Sequence, residues 1–429
     1  MTEQTAKSVI TCDMEGRIET FNKAAEDIFG YSAEEVIGKK RVSLFSPGLV
    51  VLQNVPGWLK IASEEGAYEG TTIFEAKDGT EIPAAIRITP TKKDGKQIGY
   101  CGVTTVLPRE ELESVRPKIS LLTKIFSGLV ITRAPFLTAA IVPLFLAAAF
   151  VVQTKGWEGL SWLNFFLVCT AGCALHIAAN TFNDYFDWTS GTDQANNDYF
   201  LPFSGGSRAI ELRIIQPKSL LVIGSIALLI ASAIGVYVAT AITTDVLLFG
   251  AIGAFSAFFY TAPPLRLVAR KGLGELLVGL NFGPLMVGGA LTVLLGGLSH
   301  DVTWVSLYLG IPVGLLTTAI LWINEFPDAE SDAKTGKINL VVVLGKATAR
   351  YGYVLLVALA MAWLVGTALM GLVHPGVLLG LLALPLALYA TWILFKHWDD
   401  RELIKSNSTT IQLHLATGLL MAAGLVWFG

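Results

Sequence analysis

Two patterns divide the chain. Up to residue 106, apolar and polar positions alternate in short runs. After Lys124 they give way to long apolar stretches. In the first part, Ser8–Asp13 and Arg17–Phe21 alternate with period two around Met14-Glu15-Gly16, which predicts two short strands. Asn22 is placed to cap a helix running to Phe29, with Gly30 ending it. Ser32 and Glu35 have the spacing of a capping box for a second helix that Gly38 closes. Three more strands are predicted at 70–76, 81–89 and 96–106. Lys77-Asp78-Gly79-Thr80 and Asp94-Gly95 separate them, and Asp-Gly between alternating runs is a strong hairpin signal. Residues 107–124, interrupted by Pro108 and Pro117 and rich in Glu and Arg, read as a linker.

Beyond the linker, nine apolar stretches of about 20 residues are each long enough to cross a bilayer. They lie at 126–152, 160–184, 219–240, 244–263, 273–297, 303–324, 351–372, 376–395 and 410–428. The predicted fold is therefore a small α/β domain at 1–106, a linker at 107–124, and an all-α polytopic membrane bundle of nine transmembrane helices at 125–429.

Composition agrees with the split. Hydrophobic residues make up 53% of the 429 residues and charged ones 15%, against about 25% charged in soluble domains. Mean hydropathy is +0.59. Residues 1–124 hold 34 charged side chains and the other 305 hold 31. A wholly soluble, disordered or coiled-coil chain is excluded. The net charge of -3 says nothing about nucleic acid, and there is no basic stripe that would bind it. Four cysteines make no disulfide framework, and Cys169 and Cys173, four apart in an apolar run, read as small packing residues. No secretory signal is expected at Met1–Lys7, which places the start in the cytoplasm.

Lys and Arg set the orientation. With a cytoplasmic N-terminus, the loops after spans two, four, six and eight carry 13 basic residues and the opposite side carries one, Lys155. An odd number of spans then puts Gly429 outside, in a cell (inner) membrane.

The acidic residues stand out against this background. Asn180, Asp184 and Asp187 are spaced i, i+4, i+7 at the end of span two. Asn324, Asp328 and Asp332 are spaced i, i+4, i+8 at the end of span six. Each set shares one helix face, the second if the helix continues past Pro327. Clustered carboxylates at a membrane helix end are tolerable with a divalent cation between them. Oxygen-only ligands point to a hard ion such as Mg²⁺, which usually shares its shell with phosphate oxygens. With Arg and Lys nearby, the clusters point to a diphosphate site. The bland alternative is ordinary solvated loop charge, and it remains open for Asp193 and Glu330.

Two resemblances extend this reading. The stretch Asp13-x-x-Gly16-x-Ile18…Asn22-x-Ala24-Ala25-Glu26…Phe29-Gly30-Tyr31-Ser32-x-Glu34-Glu35…Gly38-Lys39, with the three-strand end, resembles the PAS sensor family. Such domains bind small ligands, haem or flavin, or simply dimerise, so a homodimer through this domain is an implied partner. All five histidines lie outside it, which argues against His-ligated haem, and no flavin-adduct motif of the Asn-Cys-Arg-Phe type is present.

The remainder, from about Ser127 to the end, resembles the UbiA-type intramembrane prenyltransferases. That superfamily has nine membrane helices and Asp-rich motifs after helices two and six, matched here by Asn183-Asp184-x-x-Asp187 and Asp328-x-x-x-Asp332. Within it, Gly191-x-Asp193, Gly205-Gly206-Ser207-Arg208, the Tyr260–Arg266 stretch, Gly272–Glu275 and Gly336–Gly345 look most like the menaquinone-pathway dihydroxynaphthoate branch. The ubiquinone-type spacing would place Asp at 191, where this chain has glycine.

The resemblance implies Mg²⁺-dependent transfer of a polyprenyl group from its diphosphate to an aromatic ring, with 1,4-dihydroxy-2-naphthoate as the expected acceptor and carboxyl loss accompanying substitution. 4-Hydroxybenzoate or another quinone or lipid precursor is the alternative. Asp184, Asp187, Asp328 and Asp332 are the expected metal ligands, with Asp193 a further candidate. Asn180, Asn183 and Asn324 are expected to orient the diphosphate, and Arg133, Arg208, Arg266, Lys334 and Lys337 to pair with it. Tyr260 is placed either to stabilise an allylic cation with its ring face or to anchor a helix at the interface. Asn281 and Glu275 are expected at the cavity, although a helix-end cap explains Glu275 as well. A secondary transporter also puts ionisable groups in a bundle, but near the midplane. No kinase or cyclase module accompanies the front domain, so it is read as a regulator or dimeriser of the transferase.

Overall fold

The computed structural model describes residues 7–46, 48–196, 199–200 and 203–429; the first six residues, on which the reading of the start rests, lie outside them. The chain forms two compact units, residues 1–131 with 208–216, and 132–207 with 217–429.

The first unit is built on a five-stranded antiparallel sheet of order β2-β1-β5-β4-β3, with β1 Ser8–Asp13, β2 Ile18–Phe21, β3 Tyr68–Glu75, β4 Glu81–Lys93 and β5 Lys96–Val106. The β4–β5 hairpin turns at Asp94 and Gly95, both at positive φ (51° and 76°), as a tight two-residue hairpin loop requires. Helix α1, Lys23–Phe29, starts where the Asn22 side chain accepts the Ala25 N–H and stops at Gly30 in the left-handed region. Helix α2, Ala33–Val36, carries the expected capping box. Helix α3, Val55–Glu65, falls where no helix was predicted. It buries Trp58, which stacks on Tyr68 at 5.5 Å. Arg116 reaches Glu81 with two bonds, at 2.9 and 2.7 Å, so the expected linker is tied to β4.

The first predicted span is broken. Helix α4, Leu121–Ile131, belongs to the first unit. The helix ends near Pro135, which has no N–H to give the Ile131 carbonyl four residues earlier. Arg133 instead takes a left-handed conformation, φ 49°.

The second unit is a helical bundle. Its helices are α5 Thr138–Lys155, α6 Trp162–Thr189, α7 Pro217–Ala241, α8 Val246–Phe259, α9 Leu273–Leu280, α10 Met286–Leu295, α11 His300–Lys334, α12 Lys346–Leu369, α13 Leu384–His397 and α14 Ile404–Phe428. Among the described residues, eight helical segments are long and apolar enough to cross a membrane, α9–α10 counting as one. The expected fourth span is the shorter helix α8, 14 residues, or about 21 Å at 1.5 Å per residue. With it the order matches the nine expected.

Helix α11 is the most enclosed of the spans and contains two prolines. Pro312 leaves the Tyr308 carbonyl without its helical donor, and the Trp363 indole N–H of α12 supplies one at 3.2 Å. Pro327 leaves the Ile323 carbonyl free, and the Asn407 amide of α14 supplies one at 3.1 Å. The helix therefore continues to Lys334. Where α11 crosses the broken α9–α10 pair, glycines face each other. A Cβ on Gly314 would lie 2.3 Å from the Gly279 carbonyl oxygen, and one on Gly310 would lie 2.6 Å from Pro284. Only residues without side chains allow so close an approach.

Candidate active site

The ends of α6 and α11 enclose a cavity of about 620 Å³. Four turns of α6 supply His176, Asn180, Asn183 and Asp187 to its wall. α11 supplies Asn324, Glu325, Asp328 and Asp332. Below them the wall is apolar, formed by residues such as Val168, Phe249, Leu285 and Ile320. The cavity is thus charged at one end and greasy along its length.

At the charged end Asp184, Asp187, Asp328 and Asp332 each have a partner. Asp184, buried, forms an ion pair with Arg133 and accepts the Ser207 N–H at 3.2 Å. Arg133 also reaches Asn183 at 3.3 Å. Asp187 accepts from Asn183 at 3.1 Å and from Lys337 at 3.3 Å. Across the cavity, Asp328 accepts from Asn196 at 2.7 Å and from the Gly205 N–H at 3.0 Å. Asp332 accepts from Asn339 at 3.0 Å and has Lys337 at 3.8 Å. Lys337 therefore bridges the two clusters. Burial works against its ammonium, but Asp187, Asp332 and Asp328 outweigh that and hold its pKa well above the ordinary lysine value. Gly206, at φ 77°, lets the backbone pass close by. A Cβ there would lie 3.1 Å from Asp184, 3.2 Å from Arg133 and 3.4 Å from Asp193, which brings Asp193 to the first cluster.

Among the described residues no three carboxylates converge to hold an ion on their own. The donor set still fits a hard cation. All the candidate ligands are carboxylate oxygens, and protein cations already sit among them. Mg²⁺ characteristically takes one or two carboxylates and fills its shell with water and phosphate.

The other predicted residues fall in different places. Tyr260 and Asn281 line the cavity. Glu275 does not. Its Oε1 accepts the Leu340 N–H at 2.6 Å, at the start of the short helix Leu340–Leu344 and not at the end of its own helix. Lys334 is exposed and pairs only loosely with Glu330, at 3.9 Å. Arg266 adopts a left-handed conformation beside the turn to α9 and is not part of the cavity wall. Arg208 belongs to the first unit, where it pairs with Glu211 at 2.9 Å.

Sequence reasoning missed His176, Asn196, Glu325, Asn339 and Asn407. His176 is one turn before Asn180 on the same face, a spacing that was legible. Asn196 and Asn407 reach Asp328 and α11 from distant parts of the chain, which no local pattern announces, whereas Asn339 is only seven residues from Asp332.

Comparison with known proteins agrees with this architecture. Residues 136–423 match the family model described as the UbiA prenyltransferase family, and residues 6–106 match a PAS domain. The chain is 32% identical over 283 residues to a 1,4-dihydroxy-2-naphthoate octaprenyltransferase of Mycobacterium tuberculosis (66% of this chain, 89% of that protein). It is 27% identical over 300 residues to the Bacillus subtilis protein of the same name (69% and 91%). The apo structure of a UbiA homolog from Aeropyrum pernix K1 shares the fold at 15% identity, with a TM-score of 0.50 over 69% of this chain and 98% of that one. The chain belongs to the UbiA prenyltransferase family and carries a PAS domain at its N-terminus.

Proposed function

We propose that this prenyltransferase moves a polyprenyl group from its diphosphate to 1,4-dihydroxy-2-naphthoate, with loss of the acceptor's carboxyl group, in menaquinone biosynthesis. The observation that carries the reading is the cavity, with two carboxylate clusters facing each other at one end and an apolar body below. The acceptor rests on similarity to relatives named for that substrate.

Asp184, Asp187, Asp328 and Asp332, with Asp193 beside the first pair, would hold Mg²⁺, which supplies charge neutralisation for the leaving diphosphate. Arg133 and Lys337 then trade carboxylate partners for diphosphate oxygens. Asn180, Asn183 and Asn324 orient that group. The apolar wall excludes the water that would trap an allylic cation, and the Tyr260 ring offers its face to the developing charge. Arg208, Arg266 and Lys334 have no part in this assignment.

The bias of basic residues supports a cytoplasmic N-terminal domain and a site at the cytoplasmic face of the cell membrane. The PAS domain is assigned a regulatory or pairing role, not a chemical one. Deleting residues 1–106 should change regulation or assembly and spare turnover in a correctly inserted protein.

The test is a membrane assay with Mg²⁺ and a labelled long-chain prenyl diphosphate, offering 1,4-dihydroxy-2-naphthoate and 4-hydroxybenzoate side by side. The expected result is a prenylated, decarboxylated naphthol from the wild type and none from Asp184→Ala. Product from the benzoate alone would overturn the acceptor.

A further inference from the structure

Along α11 the cavity wall runs through Thr317, Ile320, Leu321, Asn324, Glu325 and Asp328, a stripe at helical spacing that passes from apolar to charged. A diphosphate bound among the carboxylates fixes the level at which chemistry occurs. C1 of the prenyl chain is one bond from a phosphate oxygen, so the attacking ring carbon must lie close beneath Asp328. Glu325 is at that level, three residues before Asp328 and about 4.5 Å along the axis.

Glu325 is 5% exposed, and its Oε2 is buried without a hydrogen-bond partner among the described residues. The Tyr260 hydroxyl on the same cavity is likewise buried and unpartnered. Neighbouring amides are engaged. Asn180 lies 3.1 Å from His176 Nε2 and donates to the His176 carbonyl at 2.9 Å, and Asn324 accepts from Asn407 at 2.8 Å. A buried carboxylate oxygen without a donor is costly to maintain. A donor brought by a substrate removes that cost.

We infer that Glu325 is the acceptor-binding base: it accepts a hydrogen bond from an acceptor ring hydroxyl and takes that proton as the ring attacks. The inference rests on the proposed aromatic acceptor. For the naphthoate, the hydroxyl beside the carboxyl-bearing carbon gives its proton to Glu325. The electron pair released from that O–H bond becomes the ketone π bond, and the ring carbon's pair forms the bond to C1. The C1–O bond breaks and its pair leaves on the diphosphate. The product is a β-keto carboxylate. It loses CO₂, and the resulting naphtholate recovers the proton from Glu325.

The test uses the full chain in detergent or nanodiscs with Mg²⁺ and a labelled prenyl diphosphate. Wild type, E325Q and E325D are compared on 1,4-dihydroxy-2-naphthoate and on its 1-O-methyl ether, which has no proton to give at that position. Prenyl diphosphate affinity is measured by calorimetry. E325Q should lower kcat/KM for the naphthoate by about 10²–10⁴-fold, the range of a lost general base. Its prenyl diphosphate Kd should stay within about threefold of wild type, and E325D should recover part of the rate. The methyl ether should be poor for every variant, with no further loss in E325Q.

E325Q as active as wild type on the naphthoate would overturn the inference alone. So would a loss of prenyl diphosphate affinity as large as the loss of turnover, which would assign Glu325 to the diphosphate site. If E325Q does not fold, the wild type still decides the matter, because equal rates on the naphthoate and its ether would overturn it. A wild type that binds prenyl diphosphate but alkylates no hydroxylated aromatic would overturn the acceptor reading and this inference together.

Discussion

The two carboxylate clusters use the same side chain and are held by different means. On α6, Asp184 and Asp187 meet full positive charges, Arg133 and Lys337. On α11, among the described residues, Asp328 meets amide N–H groups from Asn196 and Gly205, and Asp332 meets Asn339 with Lys337 farther off. Long cationic side chains can swing to a new anion, whereas amides polarise a carboxylate without competing for a cation. On the proposed roles, the first cluster is the adjustable half of the site and the second the preformed half. The helices beneath them differ in kind too. α6 has no proline, whereas α11 passes Pro327 with Asn407 filling the vacated hydrogen bond.

The largest expected effect tests whether both halves are needed. Asp187→Asn and Asp328→Asn should each reduce turnover by about 10²–10³-fold, the scale of losing one electrostatic element at a reacting centre. A near-normal Asp328→Asn enzyme would make the site one-sided and the second cluster structural.

Next comes the ion pair. Arg133→Met leaves Asp184 buried without its counter-charge and should destabilise the metal-free protein by about 3 kcal/mol. Saturating Mg²⁺ should shrink that loss, because a cation then replaces the guanidinium. Equal losses in denaturant titrations with and without Mg²⁺ would contradict the exchange of partners.

Asn407→Leu is expected to be milder. It strands the Ile323 carbonyl and Asn324, for about 1–3 kcal/mol, and should weaken turnover less than either Asp variant. A neutral result in both unfolding and activity would mean that α11 carries Pro327 unaided.

Smallest of all should be Lys334→Ala. That side chain is exposed and its pair with Glu330 is loose, so stability should move by less than about 1 kcal/mol and turnover should be unchanged. A strong activity loss would bring Lys334 back to the diphosphate.

Local chemistry made much of this legible in the sequence. The Asn22 and Ser32–Glu35 caps, the Asp94-Gly95 turn and the carboxylate spacing on α6 all depend on residues a few positions apart, and each appears where the pattern put it. Features that depend on distant partners were not legible. The break at Arg133 lies beside Pro135, yet hydropathy reads straight through it. Past Pro327, α11 is served by the Asn407 amide, 84 residues from the Ile323 carbonyl it bonds. Proximity in sequence also misled. Lys334 is two residues from Asp332 but is exposed, whereas Lys337 folds back over the site. Glu325 sits between Asn324 and Asp328 with nothing local to mark it, because only the cavity shows that its oxygen has no partner among the described residues.

The central claim is that both clusters act together on a Mg²⁺-bound diphosphate. It is tested most directly by calorimetric titration of a prenyl diphosphate into the wild type, Asp184→Asn and Asp328→Asn, each with Mg²⁺ and with chelator. The account predicts tight binding only to the wild type with Mg²⁺, and a comparable loss of affinity in either variant. Binding that ignores the chelator, or that survives intact in one of the two variants, would contradict it.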